Sequence, residues 1–201
     1  MLEGMPGSGK TVITRLMECE GRTVLGEYVT PPGSTVPDVH HPDVADDAAH
    51  QRNWNLKADQ ARRALTANRP VACDRDWLTA LAYAFTIAPL DGGQLFERRL
   101  AWARHGLDDG SLVTGHAYVL FDLDVATSLR RRAGRLRPAH PWSRPDGLER
   151  LAAFYSDPLA ALRPYVPTVA ARLGAADVRR VSGAGLLASN ARIVRDLMDD
   201  R

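Results

Sequence analysis

Residues 4 to 11 read Gly4-Met5-Pro6-Gly7-Ser8-Gly9-Lys10-Thr11, the full spacing of a phosphate-binding P-loop, G-x-x-x-x-G-K-T. The glycines let consecutive backbone N–H groups turn inward around phosphate oxygens, where a Cβ would obstruct them. Lys10 brings a point charge to the β- and γ-phosphates of a nucleotide, and the Thr11 hydroxyl suits a Mg²⁺ ion. The segment that follows, Thr11-Val-Ile-Thr-Arg-Leu-Met-Glu18, has helical character, so the anion would also meet a helix N-terminus. All eight residues, Gly4, Met5, Pro6, Gly7, Ser8, Gly9, Lys10 and Thr11, are therefore assigned to nucleotide binding, with ATP and Mg²⁺ as the implied cofactors. Only Met1-Leu2-Glu3 precede the loop, so its strand is either very short or starts upstream of Met1.

Working outward, 201 residues fit one α/β domain with a substantial core. With 45% hydrophobic and 25% charged residues the chain reads as an ordinary globular protein. A net charge of +2 gives no bulk support to polyanion binding, so nucleic acid is not an expected partner. Lys10 and Lys57 are the only lysines among 26 basic residues. Cys19 and Cys73 form no disulfide framework, and no signal peptide or spanning apolar segment is evident. The expected location is the cytoplasm, without membrane contact. A second copy of the chain in a homodimer is an open option.

The pattern alternates strands and helices. Thr23–Val29 reads as a strand ending at Pro31-Pro32-Gly33, followed by a Pro-rich loop to residue 45. A helix spans about Asp46 to Ala67, and Val71-Ala72-Cys73 is a buried parallel strand ending in Asp74-Arg75-Asp76. Helices follow from Leu78 and from Gln94 to His105. Tyr118–Asp124 is the next strand, and a helix starts over Ala126 to Arg132. Beyond them come a helix near Leu148–Leu162, a strand near Asp177–Val181 and a C-terminal helix. This order implies a parallel sheet covered on both faces. Its ligands gather at the carboxyl ends of the strands, where the P-loop, Glu27, Asp74-Arg75 and Asp122/Asp124 all fall.

Phosphoryl transfer needs charge neutralisation, a positioned acceptor and, for some acceptors, a carboxylate to take a proton. Glu27 and Asp74 are the carboxylate candidates; either can serve as base while the other holds Mg²⁺, with Thr11 and Asp74 the candidate metal ligands. Arg75 adds a guanidinium beside them. The run Arg130–Arg137 breaks helical order at Gly134 and Pro138, which points to a closing lid over residues 133–146. Arg131 and Arg135 are its candidates for contact with transferring oxygens. On the 46–67 helix, Trp54, Ala58, Ala61 and Leu65 share a core face, while Asn53, Lys57 and Gln60 form a polar stripe. Glu27, Asn53, Trp54, Lys57 and Arg75 are the candidate acceptor-binding residues. His40, His41, Asp43, Asp46, Asp47 and His50 have metal-ligating side chains but match no closed zinc pattern.

The strings Leu2–Thr11, Glu27 before a Pro-rich turn, and Val71-Ala-Cys-Asp-Arg-Asp-Trp77 resemble the thymidylate kinase and deoxynucleoside kinase group. That group carries a strand–Glu–Gly opening, here Glu3-Gly4, an Asp-Arg motif, here Asp74-Arg75, and an Arg-rich lid. The resemblance spans roughly residues 2 to 165 in layout. It implies a three-layer P-loop kinase domain over residues 1–201, with a five-stranded parallel sheet ordered 2-3-1-4-5. It also implies that Arg75 faces the acceptor and the transferred phosphate. Thymidylate kinases usually carry an Asp in the loop where this chain has Met5-Pro6. The resemblance implies a nucleoside or nucleoside monophosphate as acceptor, and that departure keeps a non-nucleoside such as an antibiotic or its precursor as the alternative. A regulatory P-loop ATPase is a further alternative. A GTP switch is excluded because Asn55-Leu56-Lys57-Ala58-Asp59 has one residue too many for guanine readout and sits mid-helix.

Overall fold

A short strand runs directly into the phosphate loop. In the computed structural model, which describes residues 1–29, 47–137 and 139–200, β1 is Leu2–Gly4 and is buried along its length. It pairs in parallel with β4, Ala117–Asp122, placing Gly4 opposite Phe121. β4 in turn pairs in parallel with β5, Asp177–Ser182. The second ladder joins β2, Thr23–Leu25, to β3, Val71–Cys73, also in parallel.

The expected single five-stranded sheet is not formed. A three-stranded sheet, β1-β4-β5, stands beside a two-stranded one, β2-β3. They meet through one bridge, Leu2 to Asp74, with the Arg75 N–H donating to the Leu2 carbonyl at 2.9 Å. Chain geometry explains the break. β1 and β3 each have only three residues, and both leave the extended region at their carboxyl ends, Gly4 with φ 121° and Arg75 with φ 67°. The bridge sets Glu3 opposite Arg75, whose positive φ takes the chain out of the extended region, so the pairing of β1 with β3 stops after one bridge. β2 is likewise shorter than Thr23–Val29. Beyond Leu25 the main chain is held by a side chain instead: Asn53 Oδ1 accepts from the Val29 N–H at 3.1 Å, and Asn53 Nδ2 donates to the Glu27 carbonyl at 3.1 Å.

Helices cover both faces. Alternate residues of β4 point to opposite sides, as a strand's period of two requires. Val119 and Phe121 pack with Ile13 and Met17 of α1 (Lys10–Cys19) and Val194 of α9 (Leu187–Asp199). Tyr118 and Leu120 face the larger core. That core is built from α2 (Asp47–Thr66), α3 (Trp77–Asp91), α4 (Gln94–Asp108) and α6 (Pro145–Ser156). It also takes residues from α7 (Pro158–Leu162) and α8 (Pro167–Gly174), while α5 is the short helix Val125–Arg131. The expected helix near Leu148–Leu162 is two helices, because Asp157 before Pro158 is non-helical (φ −154°, ψ 84°) and a residue preceding proline avoids helical dihedrals. Among the described residues no helix is long and apolar enough to cross a membrane.

Gly4 is required sterically. A Cβ there would lie 2.4 Å from the Phe121 carbonyl oxygen, at a φ that side chains rarely adopt. Gly4→Ala is expected to cost about 3–5 kcal/mol, roughly 6–20 °C in Tm for a chain of this size. Gly134→Ala, where a Cβ meets nothing within 4 Å, is the control and should melt within a degree or so of the parent. Calorimetry of the two variants checks the difference.

Candidate active site

The loop between β1 and α1 is shaped by its glycines and anchored from outside. Gly7 and Gly9 have φ 77° and 96°, and no side chain caps α1, so its first amides face the loop's concavity. Ser128 of α5 donates to the Pro6 carbonyl at 2.7 Å, and the Met5 N–H donates to the Phe121 carbonyl at 3.1 Å. Lys10 is buried, and its ammonium donates to the Gly4 carbonyl at 2.9 Å, the Met5 carbonyl at 2.8 Å and the Ser8 hydroxyl at 3.2 Å. Burial first, and repulsion from Arg75 second, push its pKa down to about 7. An anion in the loop is what would favour its charged form.

The loop floors a cleft of about 720 Å³, within the range of small-molecule sites. Among the described residues, six arginines and Lys10 line it against a single carboxylate, Glu27. Such a balance suits a polyanion.

The two candidate carboxylates have different surroundings. Glu27 is partly exposed, and its Oε1 lies 3.2 Å from Nε of Arg75. Asp74 is buried and does not line the cleft. Its Oδ2 accepts from the Thr11 hydroxyl at 2.8 Å, while Oδ1 has no hydrogen-bond partner among the described residues. A buried carboxylate oxygen left over beside a hydroxyl suits a hard, oxygen-seeking cation such as Mg²⁺.

Arg75 is nearly buried behind Glu27. Its Nη1 donates to the Thr79 hydroxyl at 3.4 Å, and its guanidinium carbon lies 5.5 Å from the centroid of the Trp142 ring. Trp142 sits in the expected lid segment, which forms two short 3₁₀ turns, Ala133–Arg135 and Pro141–Ser143. Arg131 donates to the Gly7 and Gly183 carbonyls at 3.1 and 2.6 Å. Arg135 is exposed at the cleft's edge.

The polar stripe of α2 is neither a wet surface nor part of the cleft lining. Lys57 is buried, donates to the Asp74 and Glu27 carbonyls and lies 5.1 Å from the Trp54 ring centroid. Asn53 holds the main chain of residues 27 to 29, as described above, and Trp54 is buried against Tyr28 with centroids 6.4 Å apart. All three support the carboxyl ends of β2 and β3. His40, His41, Asp43 and Asp46 lie outside the described residues. Asp47 is engaged by Arg99 at 2.7 Å, His50 contacts the Tyr28 hydroxyl at 3.1 Å, and no metal-ligand cluster occurs among the described residues.

Sequence reasoning missed several residues that shape this site. Glu3 is fully buried and accepts from the Asp76 N–H, the Thr79 hydroxyl and the Tyr155 hydroxyl at 2.7, 2.6 and 2.7 Å. The resemblance named Glu3 only as part of the strand–Glu–Gly opening, and a lone acid in a buried strand is the signal for this anchoring role. Ser128 and Trp142 carried none, since a serine on an amphipathic helix and a tryptophan in a Pro-rich segment are unremarkable in isolation.

No family model and no curated protein matches the chain. Solved structures do. Deoxyadenosine kinase from M. mycoides with the products dCMP and a flexible dCDP bound aligns over 100% of this chain and 98% of its own, with TM-score 0.63 and 12% identity. The same enzyme with bound dATP gives TM-score 0.63 and 12% identity over 98% of this chain and 97% of its own. With bound dCTP the values are 0.58 and 11%, over 100% and 98%. The fold is that of these P-loop deoxynucleoside kinases. The deoxyadenosine kinase likeness thus supports the layout implied by the P-loop and the Asp-Arg motif across the whole chain. At such identity it carries the fold, and the chemistry rests on the cleft's own residues.

Proposed function

We propose that the chain is a nucleoside kinase, moving the γ-phosphoryl group of ATP onto a nucleoside hydroxyl. The observation that carries this reading is Glu27, the single carboxylate among the described cleft residues, paired with Arg75 opposite the P-loop. A phosphate acceptor is already ionised near neutrality and needs no base. An alcohol does, and Glu27 is the one carboxylate among the described cleft residues that can receive its proton. Full-length likeness to deoxyadenosine kinases favours a nucleoside over other alcohols.

In this account Lys10 exchanges its carbonyl partners for the β- and γ-oxygens, and the amides at the start of α1 hold the remaining phosphate charge. Thr11 and Asp74 are the residues that would hold Mg²⁺, which would supply charge neutralisation at the phosphate oxygens. Glu27 Oε takes the hydroxyl proton as the acceptor oxygen attacks in line. Arg75, fixed beside Glu27, stabilises charge on the transferring group. Arg135 reaches the phosphoryl group from the lid, while Arg131 braces the loop through Gly7. Asn53, Trp54 and Lys57 shape the acceptor side from behind.

ADP release from Mg-ATP, measured across nucleosides, nucleoside monophosphates and hydroxyl-bearing antibiotics, tests the reading. Nucleosides should stimulate release and monophosphates should not. Stimulation by monophosphates alone would remove the need for Glu27. Stimulation only by a non-nucleoside alcohol would keep the chemistry and move the substrate class.

A further inference from the structure

We propose that Glu3 and Lys57 are positioning residues for Arg75, forming a buried clamp that sets its backbone turn and through it the aim of its guanidinium. This rests on the reading of Arg75 as the group that meets the transferred phosphoryl.

Arg75 is a non-glycine residue at φ 67°, a conformation that costs of order 1–2 kcal/mol and persists where the surroundings over-determine it. The surroundings do so here from two separate elements. The peptide carbonyl before Arg75, that of Asp74, accepts from Lys57 Nζ of α2. The peptide N–H after it, that of Asp76, donates to Glu3 Oε1 of β1 at 2.7 Å. The N–H of Arg75 itself donates to the Leu2 carbonyl at 2.9 Å. Both ends of the left-handed residue are thus gripped by buried charged side chains.

Glu3 acts on the side chain of Arg75 as well. Its Oε2 accepts from the Thr79 hydroxyl at 2.6 Å and the Tyr155 hydroxyl at 2.7 Å, and the same Thr79 oxygen accepts from Arg75 Nη1 at 3.4 Å. Glu3 is 0% and Lys57 2% exposed, and neither lines the cleft, so neither touches substrate there. Burying charged groups carries a desolvation penalty that apolar residues of similar volume avoid. A role in packing alone gives no reason for an acid and the only lysine outside the P-loop at these positions.

The test compares Lys57→Met, Glu3→Gln and Thr79→Val in wild-type and Arg75→Ala backgrounds, with ATP and the best nucleoside. In the wild-type background each should lower kcat by about 10- to 100-fold, the scale of an ångström-level misplacement, with KM for ATP within about twofold. In the Arg75→Ala background Glu3→Gln and Thr79→Val should alter kcat by less than about twofold, because the group they aim is gone, and Lys57→Met should lose most of its effect, keeping only the part that passes through its contact with the Glu27 carbonyl. Thr79→Ser, which keeps the hydroxyl, should recover most of the loss in Thr79→Val. Effects that multiply undiminished in the Arg75→Ala background would overturn the proposal. A fall in Tm with kcat unchanged would do the same. Should Lys57→Met or Glu3→Gln fail to fold, the Thr79 pair decides. Should the wild-type chain phosphorylate no nucleoside, the functional reading fails separately, and a crystal structure of Lys57→Met decides on the clamp. Arg75 leaving positive φ and Glu27 supports it; Arg75 unmoved overturns it.

Discussion

Lys10→Met is expected to abolish phosphoryl transfer, by about 10³-fold or more in kcat, while the protein stays folded. Removing one preorganised donor from developing charge costs about 10²–10³-fold, and here a full charge on two phosphates is lost. The fold should tolerate the change because Lys10 forms no ion pair among the described residues: its ammonium reaches two carbonyls and one hydroxyl in a buried position. Burial already disfavours its charge, with the pKa pushed down to about 7. A methionine of similar length removes that unfavourable charge and leaves the carbonyls to water from the cleft. Single-turnover transfer from labelled ATP, with calorimetry on the same sample, measures both halves. Retention of more than about a tenth of the wild-type rate would mean that this loop does not hold the triphosphate during transfer.

Glu27→Gln should lower kcat by about 10²–10⁴-fold, the usual contribution of a positioned base, with KM for ATP nearly unchanged. The glutamine amide oxygen keeps an acceptor facing Arg75 Nε, which now lies 3.2 Å from the carboxylate, so the geometry survives and the proton acceptor does not. Asp74→Asn should behave differently. Its carboxylate is buried directly behind Thr11, which lines the cleft, and its change should raise the Mg²⁺ concentration needed for half-maximal rate more than it lowers kcat at saturating Mg²⁺. A Mg²⁺ titration of both variants separates the two roles. The opposite pattern, with Glu27→Gln sensitive to Mg²⁺ and Asp74→Asn defective at saturation, would exchange the assignments.

The phosphate loop was legible because its chemistry is local: eight consecutive residues supply the glycines, the lysine and the hydroxyl, and the helix that follows is adjacent in sequence. Val71–Cys73 was legible too, since an apolar run bounded by a proline and by charged residues has few alternatives. The break in the sheet was not, because it depends on where Gly4 and Arg75 turn into positive φ, and nothing marks an arginine as left-handed. Lys57 and Asn53 illustrate the same limit. Helical spacing placed them on one polar face, but that the face points inward, at the Glu27 and Asp74 carbonyls, is decided by how α2 packs on β2 and β3. The choice between Glu27 and Asp74 likewise needed the third dimension, since both follow apolar strands and only one lines the cleft.

Phosphoryl transfer to a nucleoside is tested by the fate of the γ-phosphorus, followed by ³¹P NMR with Mg-ATP and a panel of nucleosides. A new nucleoside monophosphate resonance should grow as ATP falls, disappear with Lys10→Met and fall steeply with Glu27→Gln. Conversion of ATP to inorganic phosphate alone, at a rate no nucleoside alters, would contradict that transfer.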